Sequence, residues 1–477
     1  MVDRVSLTRV ETAQTVADFA SRLTLSDLPT SALRAVEHNI EDTLTCALAG
    51  SSALAVDDIA GLVREWAGSP QATVFVSGER YPAHHVAWVN GTMAHARDYD
   101  DTHDSAILHA GVSVVPAALA AAELNPAATG ADVLAGVAAG LETLCRLGVA
   151  IEVDIVESGY IYSSLLGYFG ATAAAGRILG LDPDQMLNAL GIVYSSAAGN
   201  HQVTRDASLM KRVQPSLAAQ AAVVAVQLAA RGVRGAQRVF DGEDGLFRVY
   251  LHDRVDRAKV TEGLGTTWEL ENLSYKPYPC CRDTHSAIDA ALELRAAATR
   301  PVEEITGIRV GVTAPGYQMV CTPEEVRRTP RTIVEAQFSI PFTVAAALID
   351  GALTLDLFTT DGIERPDILE LAARVHPYVD DEIDREWRRY VTPARVEITY
   401  ADGTVVASRV DYATGHPRRP MSEQQIALKA ADCVAYAAQP MPEGAADRLL
   451  SAVRGLADAP DVTAVVAAMV AGLTAQN

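Results

Sequence analysis

From Thr12 to about Leu251 the chain reads as one helix after another, and that run sets the architecture. Ala, Val, Ile and Leu recur at helical spacing in SALRAVEHNIEDTLTCALAG, which follows the cap-like Thr24–Leu25–Ser26–Asp27 and closes on Gly50. TGADVLAGVAAGLETLCRLG runs from Thr129 to Gly148, and SSLLGYFGATAAAGRILGL stops before Asp182–Pro183. DPDQMLNALGIVYSSAAG then carries a proline at its first turn. The Ala and Gly content of these segments predicts helices packed with their backbones close together. A short β element is expected at ATVFVSGERYP.

After about Thr266 the pattern changes. VEEITGIRVGVTAP alternates apolar and polar residues and reads as a strand. PARVEITYADGTVVASRVDYATG holds two such runs around Asp402–Gly403, a hairpin signal. Helical segments are expected at EAQFSIPFTVAAALIDG and DILELAARVHPYV, and the tail from Ser422 to Asn477 is helical and Ala-rich again. The fold class is therefore mainly α. A large all-helical domain (residues 1–268 and 415–477) is expected, with a smaller α+β lid domain (residues 269–414) inserted before the C-terminal helices. A length of 477 residues with 49% hydrophobic content suits two domains.

A net charge of −21 argues against nucleic acid and anionic membrane as partners. The opening MVDRVSLTRVETAQTVADFASRL lacks the apolar core of a signal peptide, and no run of 18 apolar residues is free of polar breaks. Six cysteines show no framework spacing, and Cys280 and Cys281 are adjacent. The expectation is a reduced, cytoplasmic protein.

One polar cluster interrupts the apolar helices. AHARDYDDTHDSAILH, residues 94–109, holds His95, His103 and His109 with Asp98, Asp100, Asp101 and Asp104, between VAWVNGTMA and AGVSVVPAALAAA. Charge wedged between core-forming runs must be paired, hydrogen-bonded or functional. Imidazoles beside carboxylates are suited to moving protons near neutral pH. A helix-end network, with aspartates capping amides, would also satisfy the pattern. No HExxH or paired-cysteine spacing supports a metal.

Lysine occurs only at Lys211, Lys259, Lys276 and Lys429, with arginine at almost every other basic position. Lys211 and Arg212 stand just before the apolar LAAQAAVVAVQLAARG, where a helix start and two cations could hold a carboxylate. In SYKPYPCCRDTHSAIDAALELR, Lys276 and Arg282 flank two prolines and two cysteines, and His285 opens the next helix. A cysteine nucleophile with His285 as base is conceivable; buried structural cysteines are the plainer reading.

NGTMAHARDYDDTH, AILHAGVSVVPAALAAAE, MKRVQPSLAAQ, GVRGAQRVFDGEDGLF and KPYPCCRDTHSAIDA occur in an order that resembles the MmgE/PrpD family over nearly the whole chain. That family includes 2-methylcitrate dehydratase, cis-aconitate decarboxylase and iminodisuccinate epimerase. The resemblance implies a helical domain built from both chain ends, a smaller lid, a cleft between them, a homodimer, and no metal or organic cofactor. By motif it implies a catalytic set of Asp98, His109, Lys211 and Lys276. Around it, His103, Arg212, Arg282, His285 and, by position, Tyr317 are expected to bind substrate. Two departures stand out: Ala110 follows His109 where the family has proline, and Ile161 stands where GFHPT would supply a histidine.

The implied chemistry is proton handling at a carbon next to a carboxylate. His109 would transfer the proton with Asp98 orienting it or acting as partner acid/base, and Lys211 and Lys276 would bind carboxylates. A cofactor-independent lyase on a small di- or tricarboxylate follows, with dehydration favoured. Decarboxylation, epimerisation, or a carboxylate-binding protein without catalysis are the alternatives.

Overall fold

The computed structural model describes residues 12–153, 155–206, 208–387 and 393–472. Helices dominate it. In the first part run α1 (Thr12–Arg22), α2 (Thr30–Gly50), α3 (Ala83–His95), α4 (Gly111–Leu124), α5 (Gly130–Val149), α6 (Tyr162–Ile178), α7 (Pro183–Tyr194) and α8 (Met210–Ala230). Caps define several starts. Thr129 and Asp132 form a reciprocal capping box at α5, and Asp182 does the same with Gln185 ahead of Pro183 at α7. Thr24 and Asp27 also form a box, but it closes its own short 3-10 turn, and Pro29 precedes α2.

The small residues act as expected. Gly140 and Gly170 face each other across α5 and α6, where a Cβ would stand 2.7 or 2.9 Å from the opposite carbonyl oxygen. Helix α8 is long and apolar enough to cross a membrane, yet it is largely buried and packs on α3, α4, α6 and α7 as the central core helix.

A second group of elements includes α9 (His285–Ala297), α10 (Ile340–Asp350) and a four-stranded sheet of β3 (Ile305–Val312), β4 (Val375–Val379), β5 (Ala394–Tyr400) and β6 (Val405–Val410). Its order is β4-β3-β5-β6, with β3 parallel to β4 and the β5–β6 pair an antiparallel hairpin. The hairpin around Asp402–Gly403 is where the alternation places it. DILELAARVHPYV is not one helix: Pro366–Ala372 is helical and Val375–Val379 is a strand. Pro377 suits an edge strand, where the missing N–H breaks no ladder. EAQFSIPFTVAAALIDG also divides, into Ile333–Gln337 and α10, because Ser339 caps a new start ahead of Pro341.

Among the described residues two large hydrophobic cores result, beside a small cluster around Tyr99 and Leu355. One gathers residues from Ala13 to Tyr275 and returns with Met421 to Met469; the other lies within Tyr278 to Val410. The tail helices α11 (Glu423–Ala435) and α12 (Ala445–Arg454) pack on α2. Two short strands, β1 (Thr102–His103) and β2 (Leu273–Ser274), pair antiparallel and tie the acidic loop to the segment entering the second core.

Candidate active site

The loop from α3 to α4 is built around three aspartates with different partners. Asp101 accepts the N–H groups of Ala110 and Gly111, both at 2.9 Å, and so caps α4. Gly111 is required there, since a Cβ would collide with Thr43 Oγ1 and sit 2.8 Å from Asp101 Oδ1. Burial, reinforced by the charge of Asp100, raises Asp101 to about 6. Asp100 is fully buried between two imidazoles, 2.9 Å from His95 Nδ1 and 3.2 Å from His109 Nδ1. His109 Nδ1 also lies 2.7 Å from the Asp101 carbonyl. Both neighbours are acceptors, so Nδ1 carries the hydrogen and Nε2 is the free nitrogen. The two rings meet edge-on with centroids 4.7 Å apart. Burial depresses His95 to about 4 against the pull of Asp100, so it stays neutral.

Asp98 serves the cations instead. Its backbone is left-handed at φ 54°. Oδ1 pairs closely with Lys211 Nζ, and Oδ2 lies 3.2 Å from Lys276 Nζ, which also donates to the Asp98 carbonyl at 2.8 Å. The expectation that Asp98 orients His109 is thus corrected: Asp100 holds that place. Although burial opposes ionisation, the two ammonium groups keep Asp98 well below the usual carboxylate range. Lys276 is buried, a cost that Asp98 and Asp100 overcome, so its pKa is raised. Asp98 pairs directly with both ammonium groups, which stand on a cavity wall where an anion could reach them. Lys211 Nζ is also 3.3 Å from His95 Nε2 and 5.3 Å from the Phe338 ring centroid.

These groups line one cavity with about 660 Å³ of empty space, counting its mouth. From the first core come His95, Asp98, His103, His109, Ile161, Ser163, His201 and Lys211. Lys276, Cys281, Arg282, Asp283, Met319 and Phe338 complete it, so the cavity lies at the seam between the two cores. All four residues expected to be catalytic therefore meet in one place. His103 reaches the wall, but Ala106 N–H donates to its Nδ1 and its Nε2 donates to Glu269 at 3.1 Å. Arg282 also reaches it, with its guanidinium held by the buried Asp104 at 2.9 Å and by the Thr414 carbonyl.

Three expected substrate-binding residues lie off the wall. Arg212 is buried and donates to Gln337 Oε1 at 2.6 Å. His285 is enclosed behind Cys280 and Arg282, with Nε2 3.3 Å from the Cys280 carbonyl and Nδ1 3.4 Å from Arg282. Tyr317 donates its hydroxyl to Glu324 at 2.9 Å, while its neighbour Met319 faces the cavity. The thiols are poorly placed as nucleophiles: burial pushes Cys280 up to about 12 and Cys281 well above its usual value.

Other wall residues escaped the sequence reading. Asp283 is raised to about 6, first by burial and then by Asp104, so it can carry a proton near neutrality. His95 belonged to the conspicuous cluster, as did Asp100 behind the wall, but nothing in it distinguishes Asp100 from its neighbours. Met319 and Phe338 carry no sequence signal at all. His95, Asp100 and His109 offer donor atoms within 4.8 Å of one another, a set that could take a metal ion. In this arrangement those atoms hydrogen-bond to each other beside Lys211, which suits a shared proton network.

The first part of the chain, residues 14–258, matches the MmgE/PrpD N-terminal domain, and residues 278–453 match the MmgE/PrpD C-terminal domain. A cis-aconitate decarboxylase of Aspergillus terreus is 27% identical over 433 residues, 87% of either chain. The human cis-aconitate decarboxylase is 29% identical over 395 residues, 80% of this chain and 78% of its own length. A cis-aconitate decarboxylase-like protein of Aspergillus oryzae is 26% identical over 432 residues, 87% of this chain and 88% of its own length. With both domains matched in order across most of its length, this chain belongs to the MmgE/PrpD family.

Proposed function

We propose that the protein is a cofactor-independent lyase acting on a small di- or tricarboxylate, with loss of carbon dioxide as its reaction. The observation that carries this reading is the meeting of Lys211 and Lys276 with the Asp100-backed His109 on one cavity. The ammonium groups bind a substrate carboxylate and stabilise negative charge developing next to it. The bond to a second carboxylate breaks and carbon dioxide leaves. The electron pair passes to the α carbon and the conjugated acid group. Protonated His109 then delivers a proton to that carbon, and Asp100 stabilises the imidazolium before transfer. One proton donor and one cationic sink suffice for this sequence, and the family relatives named for cis-aconitate decarboxylation agree with it. The second unit, carrying Phe338 and Met319, would act as the lid over the bound acid.

Elimination of water is the second reading, and Asp283 favours it. Dehydration needs a base for the α proton and an acid for the leaving hydroxyl, and a carboxyl raised to about 6 on the same wall can be that acid.

Incubation with cis-aconitate, 2-methylcitrate, citrate and iminodisuccinate in deuterium oxide, followed by NMR, tests both. Decarboxylation releases carbon dioxide and leaves one deuterium at the α carbon; dehydration gives an unsaturated acid without loss of carbon. Replacing His109 by Ala should lower turnover at least ~100-fold, the scale of lost general acid–base catalysis. Binding without conversion or exchange in the whole panel would instead indicate a carboxylate-binding protein.

A further inference from the structure

His201 lines the cavity together with Ile161, Thr204 and Lys211. The backbone around it is held firmly. Gly199, at φ 139°, lets the segment lie against α6, where a Cβ would stand 2.5 Å from Ser164 Cβ. Asn200 N–H donates to Gln214 Oε1 at 2.8 Å, and Gln214 Nε2 donates back to the Asn200 carbonyl at 3.2 Å. His201 N–H donates to the Gly159 carbonyl at 2.8 Å. The residue is only 8% exposed, yet among the described residues its Nδ1 has no hydrogen-bond partner. Leaving a buried polar atom in this state is unfavourable. A fixed backbone carrying an unpartnered imidazole on a cavity wall is an arrangement completed by a ligand. Two residues beyond Gly159, Ile161 puts an apolar side chain on the same cavity.

We infer that His201 is a specificity-determining residue, hydrogen-bonding a second carboxylate or a hydroxyl of an acid whose first carboxylate lies at Lys211 and Lys276. The inference rests on the carboxylate-lyase reading above and adds the place of the substrate's far end. Burial, with the charges of Arg205 and Lys211, lowers the imidazole's pKa, so the ring is neutral and acts through directional hydrogen bonds. Selection then favours acids with two or three polar groups over simple monocarboxylates.

Isothermal titration of the intact protein with tricarballylate and with butyrate tests this, using wild type, His201→Phe and His201→Asn. In the Phe variant the Kd for tricarballylate should rise at least about 10-fold, or 1.4 kcal/mol, with that for butyrate unchanged. The Asn variant, which keeps a hydrogen-bonding group, should recover to within about 3-fold of wild type. Thermal melts check that all three are folded. Unchanged tricarballylate affinity in His201→Phe would overturn the role of His201 alone. Failure of the wild type to bind tricarballylate would remove the carboxylate reading and this inference with it.

Discussion

Asp98 and Asp100 are two residues apart and do different physical work. Asp98 is the counter-ion of the Lys211 and Lys276 ammonium groups, whereas Asp100 accepts from the His95 and His109 imidazoles. Substitution should separate these roles. Asp98→Asn removes the carboxylate paired with both Lys211 and Lys276, and urea unfolding should show a loss of about 3–5 kcal/mol. Asp100→Asn keeps the volume but removes the charge that stabilises His109 when protonated. Its turnover should fall about 100-fold or more, with a shifted pH–rate profile and a much smaller loss of stability. Equal destabilisation by both variants would contradict the division. Arg282 shows why charge alone misleads: a buried Asp104 already claims it, so its presence in the motif does not make it a free anion site.

Among the elements, α2 and α11 hold the acidic loop from behind. Lys429 on α11 pairs closely with Asp42 on α2 and donates to the Tyr99 carbonyl at 2.8 Å. One turn before Asp42, His38 stacks on Tyr275 with centroids 3.8 Å apart. Burial first, then the charges of Lys429 and Arg454, lower His38 from 6.5 to about 4. The unfolded chain therefore takes up a proton below pH 6.5 that the folded imidazole refuses until about pH 4. The stabilising contribution of His38 is complete above pH 6.5 and is lost as pH falls toward 4. A His38→Phe variant keeps the stack without the titration. The stability difference between wild type and variant should shrink by about 3 kcal/mol between pH 7 and pH 4. A pH-independent difference would show that the folded ring titrates as it does in the unfolded chain.

Across the whole molecule, the cavity exists because two cores meet, and Gln337 is a principal tie between them. Its Oε1 accepts from Arg212, and its Nε2 donates to the carbonyls of Arg97 and Pro279, both at 2.9 Å. Gln337→Ala removes three hydrogen bonds and strands a buried guanidinium. Urea titration should report a loss of about 3 kcal/mol, and KM should rise more than kcat falls if the seam shapes the binding site. Arg212, expected to contact substrate, thus has a defined task in holding the seam.

Much of this was legible in the residues themselves. Helical periodicity, capping pairs and small residues specified the packed helices; alternation around Asp402–Gly403 specified a hairpin; and the scarcity of lysine drew attention to Lys211 and Lys276. These features are local, and local propensity is written along the chain. Partner choice is not. The left-handed turn at Asp98, the seat of Asp100 between His95 and His109, the strand at Val375–Val379, the enclosure of His285 and the unpartnered ring of His201 depend on segments far apart in sequence. A buried charge takes whichever opposite group the packed backbone brings within reach, and that distance is set only when the two cores close on one another.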